Sequence, residues 1–151
     1  MEFLAWDLEL ILTKLQPLKE NALPAWGNFS AQRMVEHLND GLRMSMGEIT
    51  FPLEVPEEKL SKNKLFLHSE NPFPKDLSVN FVKPETKLRN EELELAIDEL
   101  TESILRFEAF YEDEPNAHFQ HPHFGNLNHG DWTQLHRKHF HHHFLQFGLL
   151  D

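Results

Sequence analysis

Residues 128–151, NHGDWTQLHRKHFHHHFLQFGLLD, decide how the rest of the chain is read. Asn128 suits a helix N-cap, and Asp131 falls in the first turn, facing the positive end of the helix dipole. Wind the segment at about 100° per residue with Trp132 at zero. Leu135, His136, His139, Phe140, His143, Gln146, Phe147 and Leu150 then lie within roughly 80° of it. Arg137, Lys138 and His141 point away and are expected in solvent, as are Leu145 and Gly148, with His142 at the edge. The helix therefore turns imidazoles as well as hydrocarbon toward the core. Each buried imidazole has two ring nitrogens to satisfy, and hydrocarbon satisfies neither. His139 and His143 form the i, i+4 histidine pair on that face. Their spacing lets each give one nitrogen to a shared metal ion and the other to a hydrogen-bond acceptor. His141 and His142 read instead as a solvated, mildly basic helix end.

The 11 histidines of the chain are unevenly placed: nine fall between His118 and His143, and the others are His37 and His68. A length of 151 residues fits one domain, 1–151, with room for a full core. The absence of cysteine excludes a disulfide framework, a zinc ribbon and a thiol nucleophile on the protein itself. The start, MEFLAWDLELILTKLQ, carries acidic residues where a signal peptide needs basic ones, and no apolar run approaches membrane-spanning length. A cytoplasmic protein with no membrane partner is the expectation. The formal charge of −11, from 14 basic and 25 acidic residues, comes without a basic stripe, which argues against nucleic acid as a partner.

Earlier in the chain, Leu4, Leu8, Ile11, Leu12 and Leu15 share one stripe and predict a helix over 2–16, ended by Pro17. In the link LPAWGN, Trp26 reads as a hydrophobic plug in preference to a ligand-stacking residue. Ser30 caps a second helix, AQRMVEHLNDGLRMSM, whose apolar face is Met34, Val35, Leu38 and Leu42, with His37 at its border. Segments 48–56 and 70–88 are proline-rich and irregular, LSVNFV within the second having the alternation of a short extended piece. EEKLSKNKLFLHS between them reads as a short extra helix opened by Pro56. Leu93, Ile97, Leu100, Ile104, Phe107 and Tyr111 step by 4, 3, 4, 3 and 4, with Ala96, Ser103 and Phe110 beside them, and Pro115 closes that helix. No sheet is expected. Four main helices with inward stripes predict an all-α fold, a four-helix bundle with long irregular connections.

Such a bundle brings side chains of non-adjacent helices into one interior site. His37, His139 and His143 would supply three neutral nitrogen ligands and leave a coordination position open, as a catalytic metal site requires. Zinc, nickel and ferrous iron all accept imidazole, and spacing does not separate them.

The segments SAQRMVEHLND and KHFHHHFLQFG resemble the DinB/YfiT-like metal-binding bundles, and the similarity runs over nearly the whole chain. The loop HPHFG looks like a subfamily of unknown function within them. The resemblance implies a metal on one histidine of the second helix and an H-x-x-x-H pair on the last, which map onto His37, His139 and His143. Gln146, three residues beyond the second histidine of the pair, matches too. It also implies a hydrolase or a thiol-dependent transferase, with a small-molecule substrate, a low-molecular-weight thiol as a partner in the second case, and homodimers as one arrangement. His136, His141 and His142 depart from that pattern.

The leading expectation is a metal-dependent enzyme; the alternatives are a non-catalytic metal or small-ligand binding protein and a metal-free bundle that acts by association. No residue stands out as a secure general base. His136 on the inward face and His121 and His123 in the loop are candidates by their titration range, but core-filling and helix-capping roles account for them more simply.

Overall fold

The computed structural model describes residues 2–75 and 87–151, and over them the chain is mostly helical with one small two-stranded sheet. The extended piece expected in LSVNFV lies outside the described residues. Helix α1 spans Leu8–Leu15, α2 Ala31–Ser45, α3 Leu60–Leu67, α4 Leu93–Asp113 and α5 His129–Gln146. Strands β1 (Phe119–His121) and β2 (Gly125–Leu127) pair antiparallel between α4 and α5, with Gln120 opposite Asn126. Helix α2 packs on both α4 and α5, α1 packs on α4, and α3 on α5. No helix among the described residues is long and apolar enough to cross a membrane.

Capping chemistry sets the helix starts. Ser30 accepts from the Arg33 amide at 3.0 Å to open α2. Asn128 and Asp131 form a reciprocal capping box at the head of α5, at 2.9 and 3.1 Å. Helix α1 begins later than its apolar stripe predicted, at Leu8 instead of Glu2. Asp7 is its N-cap, accepting from the Leu10 amide at 2.9 Å, and this competes with helix for the residues before it. Residues 3–6 instead run as a strap along α5. The Leu4 amide donates to His141 Nδ1 at 3.1 Å, Arg137 Nε donates to the Leu4 carbonyl at 3.1 Å, and Trp6 Nε1 donates to Glu108 at 2.8 Å. The short helix expected from Pro56 is a 3₁₀ turn over Glu57–Lys59 running into α3, with Pro56 one position earlier, at the N-cap.

The stripe of α4 is buried as predicted at Leu93, Ala96, Leu100, Ser103, Ile104, Phe107 and Tyr111, while Ile97 and Phe110 sit at its margin. Met34, Val35, Leu38 and Leu42 of α2 meet it with no exposed surface. The hairpin was not expected from the sequence. Gly125 has φ +76, a left-handed turn position that favours glycine, and Gly47 (φ +76) leaves the space that the Phe119 ring fills. Gly47 thereby seats β1 against the end of α2, and Gly125 lets β2 pass close to Leu60.

Helix α5 departs from the wheel on its outer side. Trp132, Leu135, His136, Phe140, His143, Gln146 and Phe147 are buried as expected, but so are Lys138 and Phe144. Arg137 and His141 are half-buried under the strap. A one-sided wheel assumes one wet face, whereas α5 is covered on one flank by residues 3–6 and on another by α3. The Lys138 stem crosses beneath the second cover. Its ammonium donates to the Phe66 carbonyl at 2.8 Å and lies 4.1, 5.2 and 5.4 Å from the ring centres of Phe66, Phe3 and Phe73.

Candidate metal centre

His37 comes from the middle of α2, and His139 and His143 from successive turns of α5. One nitrogen from each ring lies within 4.8 Å of the others. His37 Nε2 and His139 Nε2 face each other at 2.9 Å. The ring centres stand 4.7 Å (His37–His139), 5.0 Å (His37–His143) and 4.9 Å (His139–His143) apart, with planes steeply inclined so that edges meet. Gly41, one turn after His37, borders the His139 ring. A Cβ there would come within 3.5 Å of His139 Nδ1.

The tautomer of His143 follows from its neighbours. Gln146 Nε2 donates to the Trp26 carbonyl at 2.9 Å, so the amide oxygen of Gln146 must face the ring. That oxygen accepts from His143 Nδ1 at 2.7 Å, so Nδ1 carries the proton and Nε2 presents a lone pair. The loop before α2 is clamped over this bond, the Ala25 amide donating to the Gln146 carbonyl at 2.8 Å. Gly27 (φ +75) lets it pass, since a Cβ would sit 3.1 Å from Gln146 Nε2.

Burial keeps the rings neutral. It pushes the His37 imidazole down to about 4, with the His142 and Arg33 charges acting in the same direction. Burial and then the neighbouring His37 and His143 hold His139 well below its ordinary range. His143 is also held well below it, by burial first and His37 second, against a smaller opposing effect of the bond to Gln146. Neutral imidazole is the form that ligates a metal. His37 and His139 nonetheless keep partial solvent access, whereas His143 is buried.

Aromatic side chains ring the cluster, and little in the sequence marks them for that place. Phe29 stacks on His143 at 5.9 Å and meets His37 edge-on at 5.3 Å. Phe73 stands 6.4 Å from His139 and 6.3 Å from His142. The His142 ring donates to the Phe73 carbonyl and packs 5.4 Å from Trp26. Trp26 thus sits beside the histidine cluster, half-buried, at the C-terminal end of α5. Phe29 is the residue before an N-cap and Phe73 lies between two prolines, positions whose direction no periodicity reveals.

The other candidate histidines do not join the cluster. His136 lies between Trp6 and Trp132, stacked at 5.4 and 5.9 Å, and its Nε2 meets Ser45 Oγ at 3.0 Å. Ser45 Oγ already donates to the Leu42 carbonyl, so it accepts from His136, whose Nδ1 is buried without a hydrogen-bond partner among the described residues. In the loop, His121 Nδ1 accepts from the His123 amide at 3.0 Å, and His123 Nε2 pairs with Glu54 at 3.2 Å. His141 is engaged by the strap.

A mostly helical protein with three converging, neutral imidazoles is the class that the fold and this cluster define. Residues 2–148 match the model of the family described as protein of unknown function (DUF1569), and the chain belongs to that family. No curated protein and no solved structure matches it.

Proposed function

We propose that this protein is a metal-dependent enzyme in which His37, His139 and His143 hold one divalent ion, zinc, nickel or ferrous iron, with a position left for water or substrate. The observation that carries the reading is the convergence of three ring nitrogens within 4.8 Å, one of them fixed as a lone pair by Gln146. Two nitrogens on a tetrahedral zinc with bonds of about 2.0–2.1 Å are roughly 3.3 Å apart. The 2.9 Å between His37 and His139 therefore suits a shared ion after a small outward shift.

When bound, such an ion supplies Lewis-acid chemistry, activating a water for hydrolysis or holding a thiol as thiolate for transfer. The chain's own residues do the rest. Gln146 holds the His143 ring in its ligating tautomer, and Phe29 and Phe73 limit the water that reaches the cluster. The partial exposure of His37 and His139 supplies the entry path. We read α1, α2, α4 and α5 as the four-helix bundle of DinB/YfiT-like proteins, a reading supported by the packing of α2 on α4 and α5 and of α1 on α4. A low-molecular-weight thiol as co-substrate and a homodimer follow from that resemblance alone.

Non-catalytic metal buffering is the second reading, because nine histidines fall between His118 and His143. The engagement of His118, His123, His136 and His141 in separate hydrogen bonds weighs against it. Metal content by mass spectrometry on untagged protein separates the two. One equivalent in wild type, lost in His37→Ala, His139→Ala and His143→Ala and kept in His141→Ala, is the expected result. Full retention in His37→Ala or His139→Ala, or several equivalents in wild type, overturns the reading.

A further inference from the structure

The chain carries a net charge of −11, yet Arg33 is among the charges that act on His37, and Lys75 among those that act on the neighbouring His142. Arg33 stands one turn before His37 on α2, half-buried, on the face where i and i+4 side chains stack. On the other side, Lys75 Nζ lies 4.7 Å from the centre of the Trp26 ring, and Trp26 packs on His142. Neither Arg33 nor Lys75 has a carboxylate partner among the described residues. Arg43 and Arg89, by contrast, pair with Asp40, Arg106 with Glu48 and Lys64 with Asp131. A cation held over an aromatic face keeps its N–H donors for a ligand. Among the described residues, no carboxylate is among the charges bearing on His37, His139 or His143. Trp26, Phe29 and Phe73 stand around the same histidines and present ring surface to them.

We propose that the three-histidine site receives an anionic small molecule, a carboxylate or phosphate monoester on a flat apolar body, with Arg33 and Lys75 as its cationic contacts and Trp26, Phe29 and Phe73 as its walls. This rests on the metal reading only for where the reacting end of the molecule lies. The anion contacts belong to side chains that are not metal ligands.

The test is calorimetric titration of zinc-loaded and metal-free protein with phenylacetate, phenyl phosphate and the uncharged isostere phenylacetamide. The wild-type protein should bind an anionic probe at least about tenfold more tightly than the amide, and the difference should shrink with added salt. Arg33→Gln and Lys75→Gln should each weaken anion binding about tenfold while metal content stays at the wild-type level. Which of the two anions binds better identifies the headgroup. Equal affinity for the amide, no binding of any probe, or wild-type anion affinity in both variants overturns the inference. The last result would mean that the anion rests on the metal alone. A wild-type protein that takes up none of zinc, nickel or ferrous iron instead removes the metal reading, and the metal-free titrations still decide this one.

Discussion

Gln146 shows how much one neutral side chain controls. Its amide is read in both directions, donating to Trp26 and accepting from His143, so it cannot rotate without losing both bonds. Gln146→Leu should keep the fold and leave His143 free to change tautomer. Metal affinity should fall about 10–100-fold, as for other groups that orient a ligating histidine. A competition titration against a chromophoric chelator measures it, and an unchanged affinity would show that His143 needs no such partner. His136 makes a different contribution. Burial pushes its imidazole down to about 3, chiefly by desolvation. A histidine with a depressed folded value stabilises the protein fully above its unfolded value of about 6.5, and that stability drains as pH falls toward the folded value. His136→Phe should therefore flatten the acid side of the stability curve between pH 6 and 4, by up to about 1.4 kcal/mol per pH unit. Urea denaturation at stepped pH tests the sign. A variant as acid-sensitive as wild type would place the titration elsewhere, His121 being the next candidate, since burial holds it too near 3.

At the scale of the element, α5 was the most legible piece and also the one most misread. Its cap, its inward histidines and the placement of Trp132 and Phe147 followed from a 3.6-residue period and a capping residue. The fate of Lys138 did not, because periodicity gives angles around an axis and says nothing of what covers each angle. The cover here comes from residues 3–6 and from α3, far away in sequence. Among the described residues the buried ammonium has no carboxylate partner, only the Phe66 carbonyl and three phenyl rings, and its value is pushed down to about 8 by desolvation. Lys138→Met keeps the apolar stem and removes the charge. The Phe66 carbonyl still accepts from the Ser69 amide and hydroxyl. The substitution should change thermal stability by less than about 1 kcal/mol, or raise it. A loss of several kcal/mol would mean that the ring–ammonium contacts outweigh the cost of burying the charge. The strap and the hairpin were missed for a related reason. Asp7 competing for a helix start, and glycines at Gly47 and Gly125 making room for Phe119 and a tight turn, are local choices that a stripe of leucines hides.

Across the whole molecule, burial of apolar stripes explains why the helices pack, while polar residues tie the parts to one another. Glu36, next to His37, is buried and gathers the Arg89 amide at 2.7 Å, the Asn90 amide at 3.1 Å and the side chains of Gln32 and Asn90. Burial alone would raise its carboxyl, but these donors hold it below its ordinary value. Glu36→Ala would strand several donors at once and should cost about 3 kcal/mol. The tie should also be lost as pH falls below the carboxylate range, adding to the histidine effect. Equilibrium unfolding at neutral pH checks the magnitude, and a loss under about 1 kcal/mol would mean that water replaces the carboxylate. No sequence pattern marks Glu36, since its period places it well away from the apolar face of α2, and the arrival of residues 89–90 covers it there.

The pairing of His37 with His139 joins residues separated by 102 positions. Loop-closure entropy grows slowly with length, so a clip across so long a span removes much freedom from the unfolded chain. An ion held there would act as a reversible staple on folding itself. The midpoint of thermal unfolding would then rise with the logarithm of free metal concentration. During refolding, the ion could engage all three rings only after α2 and α5 had met, so its capture would time the last long-range step of assembly.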